Sequence, residues 1–138
     1  MSLETGRNRI EQIITQLREM QEIERSNLVH ATQVMERSDN PLVRQLMDIS
    51  ASDAMQRHKV CQFIIDSLTT SVELTPEELE AVWREIESYH SRDRNTIQLA
   101  KELRDSVRFF VQNSMLEYLV LDAEKEDMLF GWSVEQGV

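Results

Sequence analysis

Residues that interrupt helices are almost missing from this chain: its 138 residues include three glycines and two prolines. An all-β fold needs frequent turns, and so few breakers cannot supply them. The chain must therefore fold into few, long elements. With 41% hydrophobic and 29% charged residues it has the balance of a folded globular protein rather than a disordered one. The length suits one domain with one core. No run of about 18 apolar residues occurs, so no transmembrane helix is expected. Met1-Ser2-Leu3-Glu4 lacks the basic and apolar segments of a secretory signal. The single cysteine, Cys61, permits no internal disulfide and no cysteine-based zinc site. These features fit a cytoplasmic protein. A net charge of −10 repels phosphate, which argues against nucleic acid or an anionic membrane as a partner.

Four segments carry helical periodicity. The first runs from about Arg7 to Arg37, with Ile10, Ile13, Ile14, Leu17, Met20, Leu28, Ala31, Val34 and Met35 as its apolar stripe. It ends at Ser38-Asp39-Asn40-Pro41, where Asn40 suits an N-cap and Pro41 the first position of a new helix. The second helix is expected over Pro41–Leu68, followed by a loop at Thr69–Leu74. Thr75-Pro76-Glu77-Glu78 is the strongest local signal: Thr75 caps, Pro76 takes the first turn and Glu78 completes a capping box. The third helix runs from there to about Arg104, and the fourth over roughly Val107–Phe130. Only Asp105-Ser106 can cap between them, and no Gly or Pro enforces that turn. The tail from Gly131 to Val138 is expected to fray. Trp83, Trp132, Tyr89 and Tyr118 read as packing residues.

Helices of about 25–30 residues are each roughly 40 Å long. Four apolar stripes joined by short connections are buried most economically in an antiparallel four-helix bundle. The expected organisation is thus one all-α domain over residues 1–138, with hairpins at about 7–68 and 76–130. A shift of 69 residues lays Leu17 on Ile86, Glu24 on Asp93, Leu28 on Ile97, Ala31 on Ala100, Asp53-Ala54 on Asp122-Ala123 and His58 on Asp127. Identities are few. The hydrophobic pattern, and the charges that interrupt it, point to two repeated hairpins.

Those charges are the chemical content of the sequence. Glu24 lies seven residues after Leu17 and seven before Ala31, so it falls on the apolar stripe; Asp93 has the same setting between Ile86 and Ala100. Asp53, His58, Asp122 and Asp127 also sit between apolar residues one heptad away, and Glu124 is one turn from Val120 and Met128. A buried carboxylate is costly unless paired, protonated or bound to a metal. Several on one set of stripes imply a polar cavity inside the bundle.

At these residues the chain resembles the ferritin-like superfamily, and within it the rubrerythrin-like proteins. That pattern places one Glu on each of two helices and a Glu-x-x-His on each of the other two, around two metals. Asn40-Pro41-Leu42-Val43-Arg44 and Leu116-Glu117-Tyr118-Leu119 look like this group as well. The resemblance implies Glu24, His58, Asp93, Glu124 and Asp127 as metal ligands, iron or manganese as the metal, and Asp53 and Asp122 as their supporting partners. Three positions depart from it. Met55 stands where a ligand Glu belongs, Asp127 where a His belongs, and Asp93 is one methylene shorter than Glu. The remaining set can hold one metal, or two loosely, or can be a hydrogen-bonded relic.

The loop after the second helix has about seven residues and reaches roughly 25 Å, too short to return along a 40 Å helix as a ferritin crossover does. Either the second helix ends early or the topology is up-down-up-down. In the latter, Glu87 and His90 come level with His58, although Glu87-Ser88-Tyr89-His90 lies at the stripe's edge and reads as surface. His30 reads as partly buried or interfacial, and Cys61 as a small core residue. No phosphate-binding glycine loop occurs, and three histidines are too few for a haemerythrin site. No catalytic residue is assigned. Two functions remain: a ferritin-like protein with an altered metal site, or a non-catalytic bundle acting through protein contacts or homodimerisation. Seven methionines, Met20, Met35, Met47 and Met115 among them, support the second.

Overall fold

The computed structural model describes residues 3–71, 73 and 75–135. Among them are four helices and no strand: α1 Leu3–Arg37, α2 Pro41–Thr69, α3 Pro76–Ser106 and α4 Phe110–Glu135. The chain divides into two units, Met1–Val72 and Glu73–Val138, each a pair of contacting helices. No described helix is long and apolar enough to cross a membrane.

In the first unit Asn40 Oδ1 accepts from the backbone N–H of Leu42 (2.9 Å) and Val43 (3.2 Å), and Pro41 opens α2. The cap satisfies two of the amides a helix start leaves without partners. The helices run antiparallel: Met35 meets Arg44 near the turn, while Arg18 meets Gln62 far from it. The seam is narrow. Ile14, Leu17, Gln21, Glu24, Leu28, Ala31 and Met35 of α1 are buried or half-buried, as are Met47, Ala51, Ala54, His58, Cys61, Ile65 and Leu68 of α2. Leu17, Cys61 and Ile65, flanked by Ile14 and Leu68, form the apolar cluster. Alternating spacings of three and four are those of knobs-into-holes packing. The broader sequence stripe resolves into two faces. Ile10, Ile13, Met20 and Val34, with Leu42, Leu46, Val60, Phe63 and Ile64, remain exposed on the pair.

In the second unit the Thr75–Glu78 capping box forms as the sequence indicates. The turn from α3 to α4 differs. Helix α3 continues to Ser106 and α4 begins at Phe110, three residues beyond the expected Val107. The cause lies away from the turn in sequence: Asn113 Nδ2 donates to the carbonyls of Arg104 (2.8 Å) and Val107 (3.0 Å). Helix α4 runs through Glu135, past the expected fraying point, and residues 136–138 lie outside the described set. The Trp132 side chain also lies outside it. Phe109 and Phe110, at the turn, are strongly exposed.

The same contacts occur in both units at the offset of 69 residues. Arg44 N–H bonds Asn40 O as Asn113 N–H bonds Phe109 O. The Arg44 side chain donates to Met35 O and Ser38 O, as that of Asn113 does to Arg104 O and Val107 O. Arg37 and Ser106 end the first helices, and Pro41 and Phe110 begin the second ones. Ala31, Ala51 and Ala54 are buried in one unit, and Ala100, Val120 and Ala123 in the other.

Candidate functional site

Each unit carries a polar layer across its helix seam. In the first, Gln21 is 1% exposed. Its Nε2 donates to the His58 carbonyl (3.3 Å) and to Gln62 Oε1 (3.1 Å). Arg18 Nη1 donates to Gln21 Oε1 and Gln62 Oε1, both at 3.0 Å. One turn along, the largely buried carboxylate of Glu24 accepts from Arg57 Nε at 2.7 Å. Asn27 Nδ2 donates to its other oxygen at 3.4 Å. The Glu24 charge is thus matched within the unit. His58 is half-buried, and its Nε2 is enclosed without a hydrogen-bond partner. Beside it lies a cavity of about 210 Å³ lined by Glu24, Leu28, Ala54, Met55 and His58, with Arg25 and Lys59 also on its wall.

In the second unit His90 Nε2 lies 3.0 Å from Asp127 Oδ1, and Arg94 Nε lies 3.6 Å from the same oxygen. These are ion-pair distances, yet no N–H is aligned on that oxygen, which stays buried without a hydrogen bond. His90 is therefore a seam residue rather than the surface residue its position beside Tyr89 suggests. Gly131 makes room for it, since a Cβ there would stand 3.3 Å from His90 Nε2. Tyr89 stacks on Phe130 with ring centres 5.8 Å apart, and the Arg92 guanidinium lies over Tyr89. Asp93 is 8% exposed, and its Oδ2 has no partner. Glu126 has its carboxyl held above the usual range, first by desolvation, then by a hydrogen bond to Asp93 and repulsion from Asp93 and Asp122, with Lys125 opposing. Glu124 is exposed, 3.4 Å from Lys101 Nζ, and Asp122 Oδ1 pairs with Lys125 Nζ at 3.1 Å.

Glu24 and His58 thus share a cavity in the first unit. Asp93 is recessed in the second with an unpartnered oxygen, Asp127 is recessed at ion-pair distance from His90 and Arg94, and Glu124 lies toward solvent beside Lys101. Asp53 is half-buried in the first unit. Among the described residues, no three His, Cys, Asp or Glu side chains are grouped to hold an ion. Gln21, Arg57 and Glu126 belong to the polar layers but escape a search for ligand motifs. The offset itself marks them, since it lays Gln21 on His90 and Arg57 on Glu126.

The donor chemistry does not fit a symmetrical two-iron centre. Such a centre needs carboxylates free to bridge, whereas Glu24 is neutralised by Arg57 and Asp127 faces His90 and Arg94. A thioether at Met55 is a poor ligand for a hard ion. No family model, curated protein or solved structure matches this chain.

Proposed function

We propose that this protein is a ferritin-like, rubrerythrin-like four-helix bundle built from two copies of one hairpin, with an altered metal site of low nuclearity. The recurrence of turn contacts and buried positions at one offset supports the duplication. The metal reading rests on the recessed polar atoms His58 Nε2 and Asp93 Oδ2, enclosed without hydrogen bonds on the stripes where the resemblance places ligands. Leaving such groups unsatisfied costs about 1–3 kcal/mol each, a cost that a bound cation or proton removes. The proposed ligands are Glu24 and His58 in the first unit and Asp93, Glu124 and Asp127 in the second, for a divalent ion such as iron or manganese. Two-metal oxygen chemistry, which needs ions about 3.5–4 Å apart with open positions, is not proposed. Titrating tag-free protein with manganese(II), and following loss of the free-ion magnetic resonance signal, tests this. About one ion per chain, weakened tenfold or more by Asp93→Asn, is expected. No uptake by the wild type overturns the reading.

The second reading is a non-catalytic module working through apolar contacts or homodimerisation. The observation favouring it is the exposed face of each unit, with Phe63, Phe109, Phe110 and Leu121 more than half exposed.

A further inference from the structure

Met55 and His58 are one turn apart on α2, and both line the same cavity of about 210 Å³. The ring nitrogen His58 Nε2 is enclosed and has no hydrogen-bond partner, so a ligand there displaces no existing hydrogen bond. Met55 is 48% exposed, so its side chain stands at the rim of the cavity rather than filling a core. A thioether and an imidazole on one wall form a soft donor pair, and soft sulfur donors favour copper(I) over iron, manganese or magnesium.

The electrostatics select the same ion. Among the described residues, the one carboxylate on the cavity wall is Glu24, and it is already bound to Arg57. Lys59 adds positive charge to the wall, where Arg25 is paired with Glu22. That surrounding disfavours a doubly charged hard ion, whose binding depends on net negative charge. A singly charged soft ion meets less repulsion and gains its affinity from bonding to sulfur and nitrogen.

We infer that the first hairpin holds a copper(I) site in which Met55 Sδ and His58 Nε2 are the ligands. The site shares His58 with the divalent reading but requires neither the acids of the second hairpin nor that reading's ions.

Cys61 is buried one turn beyond His58, and its thiol would compete for copper(I). The measurement therefore uses the full chain carrying Cys61→Ala, with helical content checked by circular dichroism. Copper(I) is delivered anaerobically from a chromophoric chelator complex, and transfer to the protein is followed as chelator colour is lost. Transfer of about one copper(I) per chain is expected, at least tenfold weaker in Met55→Leu and abolished in His58→Gln. Met55→Leu preserves side-chain size, and its melting temperature should match the parent, so a weakened site in that variant reports lost sulfur ligation. No transfer to the parent, or transfer unchanged by Met55→Leu, overturns the assignment. Manganese(II) titration of the same samples keeps the two ideas apart. Copper uptake without manganese uptake removes the divalent reading alone, and manganese uptake without copper uptake removes this one alone.

Discussion

At the scale of single residues, the charges embedded in the seams set the chemistry. Glu24 and Arg57 neutralise one another with the carboxylate inside and the guanidinium half in water. Solvent screening keeps that pair modest. A double-mutant cycle with Glu24→Gln and Arg57→Ala should return a coupling of about 0.5–1 kcal/mol in urea unfolding. Glu126 occupies the position that Arg57 holds in the first unit, and there a carboxyl meets the Asp93 carboxylate instead of a guanidinium. Its raised affinity for protons means that the folded chain binds more protons than the unfolded one just above the ordinary glutamate range. Stability contributed by Glu126 therefore falls as pH rises through that window. Glu126→Gln should flatten this part of the stability–pH profile and leave the neutral-pH protein more stable. An unchanged profile would show that the Asp93 contact does not perturb Glu126. Glu24, Asp93 and Asp127 were legible as recessed acids because they break an apolar heptad. Gln21 was not, because a buried amide leaves no charge signature and its partners, the His58 carbonyl and Gln62, come from the other helix.

At the scale of elements, local chemistry made two helix starts readable. Asn40-Pro41 and Thr75-Pro76-Glu77-Glu78 each supply a side-chain acceptor and a proline suited to the first turn. The start of α4 was misplaced because its determinant is Asn113, a residue inside that helix whose side chain reaches back to the end of α3. Asn113→Ala should cost about 1–2 kcal/mol and speed hydrogen exchange of the amides around Val107, with little effect in the first unit. Exchange that rises equally in both units would contradict that local role. Small residues decide how closely each pair approaches. Ala54 is fully buried, so Ala54→Leu should destabilise by about 1–3 kcal/mol through overpacking. The sequence stripes also proved wider than the seams, since Ile13, Met20, Leu46 and Val60 share the periodicity yet stay exposed on their helix pair. Periodicity tells which residues are apolar on one side of a helix; it does not tell how many neighbours divide that side.

For the whole molecule, the all-helical class was legible because breakers are scarce and the connections at Asn40-Pro41 and Thr75-Pro76 are marked. The recessed charges were legible only in outline, because charge on a stripe does not reveal which acids another side chain neutralises. The exposed apolar faces separate the two functional readings. If they are covered in a bundle, Phe63→Lys should destabilise by about 2 kcal/mol or more; if they serve an external partner, the same change should cost less than about 0.5 kcal/mol in the isolated protein. Chemical unfolding with sedimentation velocity on the same samples distinguishes these cases. The metal claim is tested most directly by elemental analysis of protein purified without a metal-affinity tag, before and after loading with iron or manganese, beside a His58→Ala/Glu124→Ala variant. About one divalent ion per chain is expected after loading, lost in the variant. Loaded protein that carries no metal, or a variant that retains as much as the wild type, would contradict it.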